Sequence, residues 1–324
     1  MATPVSQPNI NKVGLSDLYD LRIKTQWVQG YGEPEHEFEQ FYREETTDFE
    51  DKRYSYISTF GLWPQRSRGD GVTYQSLYQG YDTTITPYTY ISGFEVDQES
   101  YEDDPTGIMA GQLASAFAQS ARDTIETLAV GPFLNAATYT SATAHYCSPW
   151  MTGGDGKALI ATDHPCLNGG SWSNTPSSAY DLDYAQLMAA KTRMRKMVNS
   201  VGLPFPMEPK TLLVGPTAER LAKEILYSEK QPYVNTNTTN VVKEGLTLKI
   251  WNRLVESSGA WFVLADKAGS MGNKGTMLTW LWRIRPEFDR DNAWSTGARL
   301  YKGRMRCGAG CPDPRGIDGS LATA

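Results

Sequence analysis

Apolar residues recur at helical spacing over one long stretch of this chain, at Met109, Leu113, Ala116, Phe117, Thr124, Ile125 and Leu128, with small residues between them. That spacing predicts an amphipathic helix. Asp103 or Asp104 can cap its start, Pro105 suits the first helical position, and Gly131-Pro132 reads as a stop. A helix over Pro105–Val130 spans roughly 39 Å at 1.5 Å per residue, enough to cross a whole domain. A second helix is predicted over Leu182–Val201, capped by Asp181 and stopped by Gly202, with Tyr184, Leu187, Met188, Met194 and Val198 as its apolar stripe. A third runs over Thr217–Tyr227.

Strand-like alternation fills Arg53–Val96, where Tyr54 and Tyr56 flank Ser55, Tyr88 and Tyr90 flank Thr89, and Thr83–Thr86 is β-branched. Arg66-Ser67-Arg68-Gly69-Asp70-Gly71 supplies a turn, so the segment reads as a long hairpin. Further short strands are predicted at Ala158–Ala161, Thr211–Val214, Leu246–Trp251, Trp261–Leu264, Met277–Arg285 and Arg299–Met305, and Thr138–Asn174 is otherwise loop-rich. Helices and strands mix without regular βαβ alternation and without an internal repeat, so the fold class is α+β.

Two segments lack an evident partner inside the chain. An isolated hairpin is marginal in water and needs another molecule or subunit against it. The first 50 residues form an arm whose acidic run, Glu33 to Asp51, is interleaved with Trp27, Tyr31, Phe38, Phe41, Tyr42 and Phe49. A charge run is usually a solvated face, but isolated aromatics must bury somewhere, and a neighbouring subunit is the expected place.

Composition narrows the function. The 324 residues carry 31 Lys+Arg against 37 Asp+Glu, a net charge of −6 that argues against a general nucleic-acid clamp. No apolar run is long enough to span a bilayer, and Met1–Asn11 lacks the pattern of a secretory signal, so a soluble cytosolic protein is expected. Tyr (18) and Trp (9) far outnumber His (3), a balance that favours contact surfaces over acid–base or metal chemistry.

Catalytic signatures fail one by one. Gly153-Gly154-Asp155-Gly156-Lys157 resembles a phosphate loop, but Met151 stands where its first glycine belongs and Ala158 where a magnesium-binding hydroxyl belongs. Asp289-Arg290-Asp291 lacks the Gly and terminal Glu of a calcium loop. Arg68-Gly69-Asp70 spells an adhesion tripeptide inside a turn, a near-chance match. His145/Cys147 and His164/Cys166 form two matched i, i+2 pairs that on strands could converge on a tetrahedral zinc, though the spacing is not that of a common finger and ordinary thiols are the alternative. Cys307 and Cys311 could pair or ligate; without a nearby His they read as a C-terminal loop. No catalytic, cofactor-binding or metal residue is nominated.

The order of these elements resembles the major capsid proteins of tailed bacteriophages with the Hong Kong 97-like fold, most closely the Mu-like phage major head subunit group. The residues that carry the likeness are Phe60-Gly61-Leu62-Trp63-Pro64, Tyr78-Gln79-Gly80-Tyr81, Ile91-Ser92-Gly93-Phe94-Glu95-Val96, Ala158 to Pro165, Asn174-Thr175-Pro176, Leu212 to Pro216, Ala222 to Ser228 and the Asn235–Asn240 loop. Together they cover about residues 50–285. The resemblance implies an N-terminal arm (1–50), an extended loop (51–96), a peripheral domain with a long spine helix (97–137 and 256–324) and an axial domain (138–255). It implies a local structural role for His164, self-association into hexamers and pentamers of an icosahedral shell, non-specific contact with packaged double-stranded DNA, and separate scaffolding, portal and decoration proteins. It further implies no membrane contact, a virion location after assembly in the host cytoplasm, and no enzyme activity or cofactor. No position matches the lysine–asparagine cross-link of some relatives. A scaffolding segment ahead of the arm is missing, and Met1 argues against its prior removal. A cellular nanocompartment shell of the same fold, and a metal enzyme built on His145/Cys147/His164/Cys166, are the alternatives.

Overall fold

The computed structural model describes residues 23–32, 36–103, 108–137, 154–167, 169–232, 238–243, 245–254, 259–266 and 276–321. The chain divides into two compact units, one built from residues 1–36, 89–126 and 284–306, the other from 37–88, 127–283 and 307–324. Helices are α1 (residues 23–32), α2 (Gln98–Asp103), α3 (Ile108–Leu134), α4 (Tyr184–Arg195) and α5 (Glu219–Tyr227). Strands are β1 (Arg43–Thr46), β2 (Lys52–Ile57), β3 (Gln79–Ile85), β4 (Tyr88–Val96), β5 (His164–Pro165), β6 (Ser171–Trp172), β7 (Thr211–Val214), β8 (Thr247–Ile250), β9 (Trp261–Leu264), β10 (Thr279–Asn292), β11 (Arg299–Gly310) and β12 (Ile317–Ser320).

In the first unit, β4, β11 and β10 lie side by side, and α3 packs its small-residue face onto them with α1 alongside. The core here is aromatic. Trp27 of α1 stacks on Phe288 with centroids 5.4 Å apart, Tyr301 stacks on Phe94 at 5.0 Å, and Phe94 meets Phe117 edge-on at 5.3 Å. Ala114 and Ala118 are fully buried, and their methyl-sized side chains let α1 approach α3 closely at Gly30.

The predicted long helix is present but shifted and longer at its C-terminal end. It runs through Gly131-Pro132 to Leu134. Proline removes one N–H and crowds the carbonyl four residues earlier. Two features keep the last turn helical despite this. Phe133 is fully buried, edge-on to Trp251 and Phe262 at 5.6 and 5.1 Å, and Asn135 N–H still bonds Gly131 O at 3.1 Å. Burial of one phenylalanine, worth about 2–3 kcal/mol, offsets the lost backbone bond.

In the second unit a mixed sheet runs β12-β9-β7-β8, with β7 parallel to β8 and antiparallel to β9. The helix α4 and α5 cover it through Leu187, Met194, Ala222, Ile225 and Leu226. The predicted cap of α4 moves to Asp183, whose carboxylate accepts from Ala185 N–H at 3.4 Å, and the helix ends at Arg195 rather than Val201. Met197 N–H then closes a tight turn onto Met194 O, leading to Gly202.

Three expectations are corrected. Residues 38–47 are not an arm lacking a core of their own. Phe38 packs on Trp280 (4.9 Å), Phe41 stacks on Trp251 (4.9 Å), Tyr42 donates to Ala129 O at 2.8 Å, and β1 pairs parallel with Thr279–Trp282. Tyr88–Val96 does not return along the hairpin: β2 pairs with β3, whereas β4 joins β11. Ala158–Ala161 is not a strand; it is a buried loop held by Ile160 N–H to Ala136 O (2.9 Å) and Ala161 N–H to Asn174 Oδ1 (2.9 Å). Residues 256–324 contribute to both units. β9 and β12 complete the β7–β8 sheet, and only residues 284–306 stand with the first unit.

Candidate functional site

Beyond the paired strands β2 and β3, residues 58–78 leave the body as an extended loop. Its two arms are tied near the base by Ser58 N–H to Tyr78 O (2.8 Å) and further out by Gln75, whose side chain accepts from Gly61 N–H (2.8 Å) and donates to Leu62 O (3.0 Å). The tip reverses at Ser67–Asp70, where Gly69 takes φ +99°, a backbone region that other L-residues avoid. The expected turn is therefore present, with Gly69 rather than Gly71 in the left-handed conformation.

The loop carries large apolar side chains to which the described residues of this chain give little cover. Trp63 and Tyr74 are each 91 % exposed, and Leu62, Val72 and Tyr78 are largely exposed as well. A contiguous apolar patch rimmed by polar residues marks a surface that another molecule covers.

The base of this loop is fixed by one buried cation. Arg315 lies between the rings of Tyr56 on β2 and Trp172 on β6, its guanidinium carbon 5.2 and 5.1 Å from the two centroids. It donates to Val198 O (3.0 Å) and to the Asp313 carboxylate (2.8 Å). Burial opposes its charge, but Asp313 and the neighbouring tyrosines outweigh that and raise its basicity. Tyr56 stacks on Tyr81 of β3 at 5.5 Å, and Asn199 donates to Thr59 Oγ1 at 2.8 Å, so both loop arms are clamped to the core. Sequence reasoning missed Arg315, because an arginine among Gly, Pro and Asp near the C-terminus carries no periodic signal.

Of the proposed zinc ligands, His145 and Cys147 lie outside the described residues. His164 and Cys166 stand at the end of β5, and both ring nitrogens of fully buried His164 are engaged by protein oxygens. Nδ1 is 2.6 Å from Asp155 Oδ2, Nε2 is 3.1 Å from Asn174 Oδ1, and the ring stacks on Trp172 at 4.2 Å. Cys166 is buried with its Sγ toward Asn199 O, and burial pushes its thiol up. Cys307 is not in a loop but on β11. It and Cys311 are free thiols, both driven upward by burial, which disfavours the reactive thiolate. Among the described residues no group of three or more His, Cys, Asp or Glu is placed to share a metal ion, and no helix is long and apolar enough to cross a membrane.

A mixed α+β body, a long helix lying on an aromatic sheet and an anchored projecting loop define the Hong Kong 97-like capsid fold. Solved capsids share it at low identity. The mature capsid of bacteriophage PhiM1 is 10 % identical over 90 % of this chain and 88 % of its own, with a TM-score of 0.52. A chain of Microbacterium phage Oxtober96 is 10 % identical over 90 % and 92 %, with a TM-score of 0.52. The capsid of Cyanophage P-SCSP1u is 11 % identical over 88 % of both, with a TM-score of 0.51. No curated protein matches the sequence. The family model described as phage capsid protein matches residues 80–317, most of the chain, and the chain belongs to that family.

Proposed function

We propose that this chain is the major head subunit of a tailed phage, assembling with copies of itself into the hexamers and pentamers of an icosahedral shell around double-stranded DNA. The observation that carries this reading is the uncovered apolar loop at 58–78 on its rigid anchor, a surface built to meet another subunit. Each contact can be weak, because every subunit makes many and closed symmetry adds them together.

In this reading the part of residues 1–50 that precedes Phe38 reaches toward a neighbour, the extended loop lies within 51–96, the spine helix and its sheet lie within 97–137 and 256–324, and 138–255 supply contacts around the five- and six-fold axes. The acidic net charge leaves a lumen that holds DNA loosely enough to slide during packing. Scaffolding, portal and decoration proteins would be separate partners, and the subunit would act without catalysis, in the virion, after assembly in the host cytoplasm. Placement in the Mu-like head group rests on the order of the motifs from Phe60–Pro64 to the Asn235–Asn240 loop taken together.

Negative-stain electron microscopy of the purified chain tests the proposal. Closed particles of uniform diameter are expected; a stable monomer with no particles under any assembly condition would overturn it. Nucleic acid inside particles from phage-producing cells distinguishes a genome container from an enzyme-filled compartment.

A further inference from the structure

Asn174 decides which protons the buried His164 ring carries. Its Nδ2 donates to Leu159 O (2.9 Å) and Pro314 O (3.4 Å), and its Oδ1 accepts from Ala161 N–H (2.9 Å). Each of these backbone groups has a single role, so the amide cannot be turned round. Oδ1 therefore also accepts from His164 Nε2, 3.1 Å away, and Nε2 must bear hydrogen. On the opposite side of the ring Nδ1 stands 2.6 Å from Asp155 Oδ2. An ionised carboxylate only accepts, so a neutral ring with its hydrogen on Nε2 would turn a lone pair toward it. A second proton between Nδ1 and Oδ2 removes that clash. Ordinary values of about 6.5 for imidazole and about 3.9 for Asp place this proton on the ring.

The surrounding groups leave these two charges to each other. Lys157 pairs with Asp163 at the surface, and Arg315, which shares the Trp172 ring with His164, pairs with Asp313. Burial holds Tyr81, Cys166 and Cys311 toward their neutral forms, and the Asp155 charge adds to this at Tyr81 and Cys311. An imidazolium lying flat on Trp172 also gains from the face of the indole. The residue before Asp155 grips the base of the extended loop. Gly154 N–H donates to Thr83 Oγ1 of β3 at 2.8 Å, and its Cα lies so near this strand that an added Cβ would stand 2.6 Å from Asp82 O.

We propose that Asp155, His164 and Asn174 form a proton-loaded clasp at the base of the extended loop, and that loss of the Nδ1 proton to solvent frees residues 154–157 from β3. Without that proton Asp155 is a buried charge facing a lone pair, and a buried pair that loses one charge is strongly destabilised. The direction with pH follows from the proton count. Between about 4 and 6.5 the unfolded chain also holds a protonated ring and an ionised Asp, so the clasp contributes fully. Above about 6.5 the folded chain holds one more proton than the unfolded chain, and the contribution falls as pH rises. The clasp belongs to the single subunit, so it is independent of whether subunits form shells.

The test uses the unassembled full chain. With nitrogen-15 histidine, the 3 His of the chain are few enough to assign by comparison with His36→Gln and His145→Gln. Both His164 ring nitrogens should show protonated shifts at pH 7; a bare Nδ1 at that pH overturns the clasp. Asp155→Asn is the second arm, because its amide can donate to a neutral Nδ1 and removes the need for the proton. Between pH 7 and pH 8 the folding equilibrium constant of the parent should fall about tenfold more than that of the variant. Equal falls overturn the proposal. At the higher pH where this difference levels off, hydrogen exchange of residues 154–157 should rise in the parent relative to the variant at the same pH. Exchange that stays parallel in the two chains throughout overturns the release from β3.

Discussion

Asp318 of β12 receives both prongs of the Arg193 guanidinium, Nε to Oδ2 at 2.9 Å and Nη2 to Oδ1 at 2.6 Å. This joins the last strand to α4 at a point where the carboxylate is fully buried. Burial raises the Asp318 acid to about 6, against the pull of Arg193, which lowers it. An acid whose folded value is raised adds most to stability when protonated, below its unfolded value near 4. That contribution falls as pH rises through about 6, because the unfolded chain then releases its proton more readily. Comparison of Asp318→Asn with the parent chain isolates the effect: the parent should lose roughly 2–3 kcal/mol relative to the variant between pH 4 and pH 7. Chemical denaturation at a series of pH values measures it, and a pH-independent difference would count against it.

Arg315 predicts a second outcome. Arg315→Ala strands Asp313 and opens a gap between Tyr56 and Trp172, and removal of one partner from a buried pair costs about 3–5 kcal/mol. Arg315→Lys keeps the charge but loses the planar fork that lies on two rings and bonds Val198 O and Asp313 together, so it should recover only part of the loss. Urea midpoints of the two variants give the ranking. Limited proteolysis should show faster cleavage within residues 58–78 in both, since the anchor of the loop is what has changed.

The spine helix is tested at Ala118. This residue is fully buried in the middle of α3. Ala118→Pro removes a helical hydrogen bond and forces a clash, at about 3 kcal/mol or more. Micrographs of the variant should contain no closed particles; normal particles would show that shell geometry does not depend on a continuous α3.

The loop tip separates folding from assembly. Ser67–Gly71 makes its described hydrogen bonds only within the turn. Its deletion should move the unfolding free energy of the isolated subunit by no more than about 0.5 kcal/mol. Assembled shells should nevertheless break down at lower temperature or denaturant, which light scattering during heating can follow. Equal loss in subunit and shell would tie the loop to folding instead.

Elements with a strong local signal were legible before the structure. The bounds of β7 and β9 match the predicted short strands Thr211–Val214 and Trp261–Leu264, and α5 follows its Leu221, Ile225 and Leu226 spacing. What failed did so for one physical reason: the partner was distant in sequence. Phe38, Phe41 and Tyr42 bury against residues about 90 to 240 positions away, so the segment looks unsupported until the fold supplies Trp251 and Trp280. The strand β12 contains Asp318 and Gly319 and shows no alternation, because every one of its residues is buried, whichever way it faces. The exposed loop was readable as a turn flanked by aromatics. The cation that anchors it was not, since a buried arginine is recognised only by its neighbours.

The sheet that carries α4 and α5 closes on β12, which is synthesised about a hundred residues after β7. Until those late residues leave the ribosome, Trp261 to Leu264 have a bare edge and Arg193 lacks its carboxylate. Such long-range pairing delays folding relative to local helix formation. A nascent subunit therefore cannot present a finished body to its sisters, and growth of a lattice waits for chains whose translation has reached β12.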